Sequence, residues 1–204
     1  MAASDPAPRV TTVFLLRHGQ TAYNVAGRLR GRAAGPELTA QGHAQADALG
    51  RLFAGVALSR VLASPLQRAV KTAEPLAHAA GLPVETVDAL NDRDYGPWTG
   101  HDRGEVEQRF GSVDAAPGVE SWNALRHRMR QAFDLLLATS AGPAIALVGH
   151  DATHRALLAD LIASLDPNRD DIPQDNGCWN RLEWHEGHWR LAVLNAKPGD
   201  GQRP

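Results

Sequence analysis

The chain is short of cysteine, of net charge and of long apolar runs, and each shortage excludes a class of protein. Cys178 is the only cysteine among 204 residues, so no internal disulfide can form and a reducing, cytoplasmic location is expected. The formal net charge is only -2, which argues against nucleic acid or an anionic membrane as a partner. No stretch reaches the roughly 18 apolar residues that a membrane-spanning helix needs, and residues 1–10 lack a signal-peptide core.

What the sequence does contain is an alternation of strand patterns and helix patterns. Short apolar and β-branched runs predict buried strands at 10–16, 61–63, 84–87 and 144–148. Helical patterns predict helices at 39–53, 64–81, 105–110, 121–138 and 151–165. Ser64 before Pro65 is a helix-start signal, with the serine at the N-cap. Residues 182–184 and 189–194 predict a hairpin that turns at Glu186-Gly187.

Strands that alternate with helices predict an α/β fold, a three-layer α/β/α sandwich with a mainly parallel central sheet. Because no repeat or low-complexity linker divides the chain, residues 1–204 are expected to form one domain. Residues 1–10 and 197–204 are expected to be flexible. Residues 90–118 contain many turn formers and are expected to form a loop-and-helix excursion over the functional site.

Polar residues follow the end of each predicted parallel strand. Arg17 and His18 follow the first strand, Arg68 lies in the first turn of the helix after the second, Asp92 follows the third and His150 the fourth. Because open α/β sheets bind ligands at the carboxyl ends of their strands, these side chains are expected to meet at one edge.

This combination of side chains suits a phosphoryl group. Two arginines, a histidine and a helix N-terminus can bind its oxygens, a second imidazole can attack phosphorus, and a carboxyl group can protonate the departing oxygen. Gly19 is expected to let the chain turn tightly after His18 and to leave the imidazole exposed. Taken singly, each residue also has a structural interpretation, such as an ion pair for either arginine, a turn for Asp92 or a helix cap for His150.

The stretch "LLRHGQTAYN" resembles the signature of the histidine phosphatase superfamily, the phosphoglycerate-mutase-like proteins. Further blocks resemble that family in its own order, namely "GRLRG", "LTAQGHAQA", "ASPLQRAVKTA", "LNDRDYGPWTG", "GVESW", "LVGHDATHR" and "NGCWNRLEW". The resemblance extends from about residue 12 to residue 184, and the ordered set is far more specific than the first motif alone.

The resemblance implies a role for each matching residue. His18 matches the nucleophile that becomes phosphohistidine, Arg17, Arg68 and His150 match the phosphate pocket, and Asp92 stands where the family has an acidic proton donor. Substrate-binding roles are implied for the following residues: Gly19, Thr21, Asn24, Arg30, Gly31 and Tyr95. The family chemistry implies neither a metal nor a cofactor.

Three features depart from the family pattern. The acid position holds Asp92 where Glu is common, so either the loop moves inward or Asp94 takes the role, and Asp92 is the preferred assignment. Asp151 stands where the family often has glycine, and its carboxylate would oppose a phosphoryl dianion unless it caps the following helix. The stretch "GRAAGPELT" has one residue more than the usual spacing.

Two activities of the family are compatible with this pattern. The chain after Phe110 is short and lacks an adjacent arginine pair, which favours a phosphatase over a phosphoglycerate-type mutase. Arg103 lies near a mutase lysine position, and "LNDRDYG" resembles the mutase sequence at this block, so a cofactor-dependent phosphoglycerate-type mutase remains the alternative. The expected substrate is a small phosphorylated metabolite. Four arginines could surround the entrance of the site: Arg28, Arg30, Arg32 and Arg103. Either they favour a second anionic group on the substrate, or they are solvated surface charges.

Other classes of protein have weaker support. His185 with His188, or His150 with His154, could form part of a metal site, but there is no HExxH motif and no carboxylate-rich set, so no metal is predicted. Cys178 has no basic partner to make it a nucleophile. A phosphate-binding pseudoenzyme is the non-catalytic alternative. The quaternary structure is expected to be a monomer or a homodimer.

Overall fold

A computed structural model describes residues 9–165 and 172–204, and its centre is a six-stranded sheet. The strands are β1 (Thr12–Arg17), β2 (Leu58–Ala63), β3 (Val84–Thr86), β4 (Ala144–Gly149), β5 (Trp179–His185) and β6 (His188–Ala196). Their order across the sheet is β3-β2-β4-β1-β5-β6. The strands β1 to β4 are parallel to one another, whereas β5 is antiparallel to both of its neighbours, β1 and β6. The predicted mainly parallel sheet is confirmed.

Six α-helices are described along the chain. They are α1 (Ala22–Val25), α2 (Ala40–Leu52), α3 (Gln67–Ala80), α4 (Arg103–Phe110), α5 (Trp122–Thr139) and α6 (Asp151–Leu161). Short 3-10 turns lie at Asp88–Leu90, Gly96–Trp98 and Val113–Ala115. The Thr39 and Ser121 side chains accept hydrogen bonds from the first turns of α2 and α5, as N-caps do. Among the described helices, none has the length and hydropathy of a membrane-spanning segment.

The strand β1 shows why the fold has three layers. Its residues are buried on both faces, since Val13 and Leu15 pack in the cluster that contains α5 and α6. Phe14 and Leu16 pack instead in the cluster that contains α2 and α3. A strand that is apolar at every position needs a helical layer on each face, because either face left bare would expose apolar surface to water.

Several predicted boundaries differ from the structure, among them the end of the helix expected over 151–165, which lies at Leu161. Two of the differences have an identifiable reason. The strand β1 ends at Arg17, one residue later than expected, because Arg17 still pairs in register with Gly149 of β4. Ser64 does not cap a helix that starts at Pro65, since α3 begins at Gln67 with Leu66 at its N-cap. The Ser64 N–H donates to the Val148 carbonyl at 3.0 Å, which keeps this residue at the sheet edge.

The predicted hairpin is confirmed, with strands longer than the apolar pattern indicated. Glu186 and Gly187 both have positive φ, 47° and 86°, as expected for the tight turn that matches strand twist. Polar cross-strand contacts, such as Arg190 to Glu183 at 3.0 Å, extend the pairing beyond the apolar residues. Such outward-facing charges obscure a strand in the sequence.

The chain from Leu90 to Gly118 has a small apolar cluster of its own. Tyr95, Val106 and Val113 pack there with Leu29, and Leu29 exchanges backbone hydrogen bonds with this segment through the carbonyl of His101 and the N–H of Gly100. Residues 1–8 of the N-terminus that was predicted to be flexible lie outside the described residues. The flexibility of both chain ends stays a prediction.

Candidate active site

The predicted catalytic residues gather where the parallel strands end. His18 and His150 follow β1 and β4, two strands that are neighbours in the sheet, and their ring centroids lie 5.3 Å apart. Arg68 is the second residue of α3, which follows β2. Asp92 lies in the segment that follows β3. Sequence-distant residues therefore converge because the parallel topology brings all four strand ends to one edge.

Arg68 and Asp92 form a buried ion pair at this edge. The Arg68 Nη2 group donates to the Asp92 Oδ2 atom at 3.0 Å, and the side chains are 0% and 5% exposed. The same guanidinium donates to the carbonyls of Gly31 at 2.7 Å and Ala33 at 3.1 Å. His150 Nδ1 lies 3.6 Å from the same Asp92 oxygen. A carboxylate, a guanidinium and an imidazole therefore lie in contact in a buried part of the site.

His18 is fully buried, so the expectation of an exposed imidazole is wrong. Its Nδ1 atom lies 2.7 Å from the Gly19 carbonyl oxygen. Because a carbonyl only accepts hydrogen bonds, Nδ1 must carry the proton, which leaves the lone pair on Nε2. The Nε2 atom is buried and has no hydrogen-bond partner among the described residues.

Gly19 is needed for close packing rather than for a tight turn. A Cβ atom at this position would lie 2.4 Å from the carbonyl oxygen of Gly42 in α2. The backbone N–H of Gly19 donates to the Thr72 hydroxyl at 3.0 Å. The strand-end loop is therefore clamped between α2 and α3, which fixes the position of the adjacent His18.

Burial keeps both histidines neutral. Desolvation lowers the pKa of His18 well below its usual value, and the nearby positive charge of Arg30 lowers it further. The pKa of His150 is lowered in the same direction, by burial first and then by Arg68. Burial also lowers the pKa of Arg30 to about 10, which leaves that guanidinium charged at neutral pH. Uncharged imidazoles and charged guanidiniums therefore stand side by side.

Thr21 and Asn24 form the cap of the short helix α1. The Thr21 N–H and hydroxyl both donate to the Asn24 Oδ1 atom at 2.9 Å. Asn176 reaches the same oxygen at 3.3 Å and the His18 carbonyl at 3.1 Å. Thr21 therefore holds the Asn24 side chain, and the Asn176 amide links Asn24 to the backbone of His18.

Arg30, Gly31 and Tyr95 lie together on the side of the site formed by residues 90–118. Gly31 has φ of +49°, and a Cβ atom there would lie 3.0 Å from the Tyr95 ring. Tyr95 is 8% exposed. The buried Nε atom of Arg30 has no hydrogen-bond partner within the described part of the chain, so this group is available to a ligand.

The alternative acid, Asp94, lies apart from the histidines. Its side chain is 43% exposed, and the carboxylate accepts from the Gly96 N–H at 2.8 Å and lies 3.6 Å from Arg32. Arg32 also donates to the Asp92 carbonyl at 3.2 Å, and Arg28 donates to the Gly100 carbonyl at 2.9 Å. Both arginines therefore hold loop backbone together, and of the two aspartates only Asp92 faces the site.

The residues that hold Arg17 were not predicted from the sequence. The Arg17 guanidinium donates to the Gln174 carbonyl oxygen. The side-chain amides of Gln174 and Asn180 exchange two hydrogen bonds of 2.9 Å, and Asn180 also donates to the Leu15 carbonyl at 3.1 Å. The only signal for this arrangement is an asparagine within a strand pattern, because the partners lie more than a hundred residues apart in the chain.

The geometry bears on two other chemistries, a cysteine nucleophile and a metal site. Cys178 is buried, which raises the pKa of its thiol to about 12, so it stays protonated and unreactive at neutral pH. Within residues 9–165 and 172–204, no three His, Cys, Asp or Glu side chains are grouped as metal ligands would be.

The buried histidines predict a stability that falls in mild acid. Burial lowers the pKa of His154 to about 4, against about 6.5 in an unfolded chain. Between pH 6.5 and pH 5 the unfolded chain therefore binds a proton that the folded chain does not. Each such histidine lowers the free energy of unfolding by about 1.4 kcal/mol per pH unit as the pH falls. Urea unfolding at several pH values measures this slope.

A variant pair isolates the contribution of one histidine to that slope. His154→Gln should make the slope shallower by up to about 1.4 kcal/mol per pH unit. His43→Gln, at an exposed position of α2, should leave the slope as it is in the wild type. An unchanged slope in the His154 variant would show that this imidazole takes up its proton over the same pH range in the folded protein as in the unfolded chain.

The fold and the site together define a class of protein. It is an α/β sandwich with a neutral histidine at the carboxyl ends of its strands, and buried guanidinium groups surround that histidine. The model of the histidine phosphatase superfamily (branch 1) matches residues 13–197. The chain belongs to that family, and the resemblance seen in its motifs is confirmed.

Individual relatives include proteins named as phosphatases and as a mutase. PhoE of Bacillus subtilis, an uncharacterized phosphatase, is 29% identical over 186 residues, which cover 91% of this chain and 95% of PhoE. GpmB of Yersinia enterocolitica, a probable phosphoglycerate mutase, is 30% identical over 188 residues, 87% of this chain and 86% of GpmB. The solved structure of a mycobacterial glucosyl-3-phosphoglycerate phosphatase with VO3 matches with a TM-score of 0.83 at 29% identity, covering 92% of this chain and 100% of that one.

Proposed function

We propose that the protein is a metal-independent phosphatase that hydrolyses a small phosphorylated metabolite through a phosphohistidine at His18. The observation that carries the proposal is the state of that imidazole. Its Nδ1–H is bound to the Gly19 carbonyl and its Nε2 atom is buried without a partner among the described residues. The lone pair needed for attack is therefore available, next to two buried guanidinium groups that can hold phosphoryl oxygens.

The first step transfers the phosphoryl group to the histidine. His18 Nε2 forms a bond to phosphorus while the bond from phosphorus to the substrate oxygen breaks. The departing oxygen takes a proton from Asp92, which becomes a carboxylate. Arg17, Arg68 and the neutral His150 donate hydrogen bonds to the phosphoryl oxygens and stabilise the charge that they carry.

Asp92 can act as an acid only if substrate binding changes its surroundings. In the structure Arg68 donates to the Asp92 carboxylate at 3.0 Å. A bound phosphoryl dianion would compete for the Arg68 donors and would bring negative charge close to Asp92. Both changes favour the protonated carboxyl group, so the substrate itself prepares the acid.

The second step releases phosphate. Asp92, now ionised, takes a proton from a water molecule, and that water attacks the phosphohistidine. The bond between phosphorus and Nε2 breaks, and the imidazole returns to its neutral form with the same Nδ1 proton. Residues 90–118 carry Asp92 and Tyr95, and we propose that this excursion covers the site while water enters from the leaving-group side.

A phosphoglycerate-type mutase is the second candidate. Arg103 supports it, because this guanidinium lies near Tyr95 on the leaving-group side of the site and could bind the carboxylate of a phosphoglycerate. As a phosphatase the protein would need no metal or cofactor, whereas a mutase of this type would depend on 2,3-bisphosphoglycerate. In either case we propose a cytoplasmic monomer or homodimer that binds neither nucleic acid nor membrane.

A phosphate-release screen over small phosphomonoesters, with EDTA present, tests the proposal. The screen includes 3-phosphoglycerate with and without 2,3-bisphosphoglycerate, and His18→Ala serves as the control. We expect phosphate release that requires His18 and is unaffected by EDTA. Isomerisation of phosphoglycerate without net release would identify a mutase, and binding of phosphate without any turnover would identify a pseudoenzyme.

A further inference from the structure

A second polar cavity lies beside the proposed catalytic site. It has a volume of ~170 Å³ and lies between the 90–118 segment and the first turn of α6. Three cationic and three anionic side chains contribute to its lining: Arg93, Arg103, Arg155, Glu107, Asp114 and Asp151. Its formal charge is therefore balanced, unlike the strongly cationic surroundings of His18.

Tyr95 connects the cavity to the catalytic site. This residue lines the cavity, and its buried phenol interacts electrostatically with Asp92 and with three residues of the cavity, Arg103, Arg93 and Asp151. Asp92 is the proposed proton donor, so the leaving oxygen of the substrate would lie close to it. The alcohol half of the substrate would then extend past Tyr95 into the cavity.

The arginines of the cavity already have partners within the protein. Arg93 forms an ion pair with Asp114 at 2.6 Å, with its guanidinium 4.5 Å from the centre of the Trp122 ring. Arg103 lies 3.4 Å from the Glu107 carboxylate. The Arg155 guanidinium lies 5.8 Å from the Trp122 ring centre. A second anion on the substrate would have to compete with these partners.

Among residues 9–165 and 172–204, the Asp151 carboxylate is the acidic group of the cavity that has no hydrogen bond and no ion pair. Asp114 and Glu107 are paired with arginines, whereas the Asp151 carboxylate has longer-range electrostatic contacts, with Tyr95, Arg103, His154 and Cys178. It directly follows His150 and begins α6, so its carboxylate is the cavity anion nearest in the chain to the phosphoryl pocket.

We infer that Asp151 selects substrates whose alcohol half carries a hydrogen-bond donor, an ammonium or hydroxyl group, and disfavours those that carry a second anion. The inference rests on the proposed phosphatase function and specifies its substrate class. Of the two interpretations that the sequence left open for the arginines around the site, it disfavours the one in which they bind a second anionic group. The physical reason is that an unpaired carboxylate attracts an N–H or O–H donor and repels another carboxylate.

A matched series of substrates tests the inference. The probes are linear alkyl phosphates of two to four carbons that end in an ammonium, a hydroxyl or a carboxylate group, so that only the terminal group and its reach vary. We expect kcat/KM of the wild type to be highest for the ammonium or hydroxyl members and lowest for the carboxylate members. In Asp151→Asn the ratio of ammonium to carboxylate kcat/KM should fall by about 10- to 100-fold.

Two controls separate this inference from the proposed function. Asp47→Asn makes the same chemical change at an exposed position of α2 and should leave the ratio unaltered. Hydrolysis of p-nitrophenyl phosphate, which has no terminal charge of this kind, reports the phosphatase chemistry alone. If that hydrolysis depends on His18 but the ratio does not depend on Asp151, the inference fails and the function stands. A wild-type preference for the carboxylate members would also overturn it, and absence of all turnover would overturn both.

Discussion

Replacement of His18 by asparagine is expected to abolish phosphate release, with a loss of about 10⁴-fold or more in kcat. The asparagine amide has no lone pair on nitrogen that can attack phosphorus, so the covalent step is lost rather than slowed. The buried guanidinium groups around it would remain, and substrate binding should survive. Initial rates with p-nitrophenyl phosphate measure the loss.

The intermediate itself can be detected in the same comparison. A phosphohistidine is stable in alkali and labile in acid, so protein quenched in alkali during turnover should carry a phosphoryl group. That group should be absent from the His18 variant and present in His43→Asn, a matched change at an exposed position of α2. Residual activity above about a tenth of wild type in the His18 variant would exclude this histidine as the nucleophile.

Replacement of Asp92 by asparagine should slow hydrolysis according to the leaving group. An alkoxide needs a proton as it departs, whereas nitrophenolate is a weak base and departs without one. The expected loss is therefore about 10²- to 10⁴-fold for alkyl phosphates and much smaller for p-nitrophenyl phosphate. The asparagine oxygen can still accept the hydrogen bond from Arg68, so the variant should remain folded. Paired kcat values for the two substrate types measure the effect.

Asp94→Asn is the matched control for the proton donor. Its side chain is partly exposed and accepts a hydrogen bond from the Gly96 N–H at 2.8 Å, an interaction that the asparagine oxygen can keep. Both rates should be close to those of the wild type. Equal losses for alkyl and nitrophenyl substrates in the Asp92 variant would exclude the acid role, and a selective loss in the Asp94 variant would transfer it to Asp94.

A comparison of Asp92 with Asp94 shows why the sequence alone left the acid open. Both residues lie in one stretch of turn formers, two positions apart, and either could face the sheet edge. The choice depends on Arg68, which comes from a different strand-helix unit and holds Asp92 at 3.0 Å. The burial of His18 was mispredicted for a similar reason, because residues of α2 and α3 close around it and no local pattern records that.

The sequence by itself determined the α/β class, the order of the strands and helices, and the set of polar residues at the strand ends. These follow from periodicity, capping and turn chemistry, which act over a few neighbouring residues. The tertiary structure decided which charges are paired and which are left over. Arg17 is held by Gln174, and Asp151 remains unpaired among the described residues, because burial and ion pairing depend on distances between segments that are far apart in the chain.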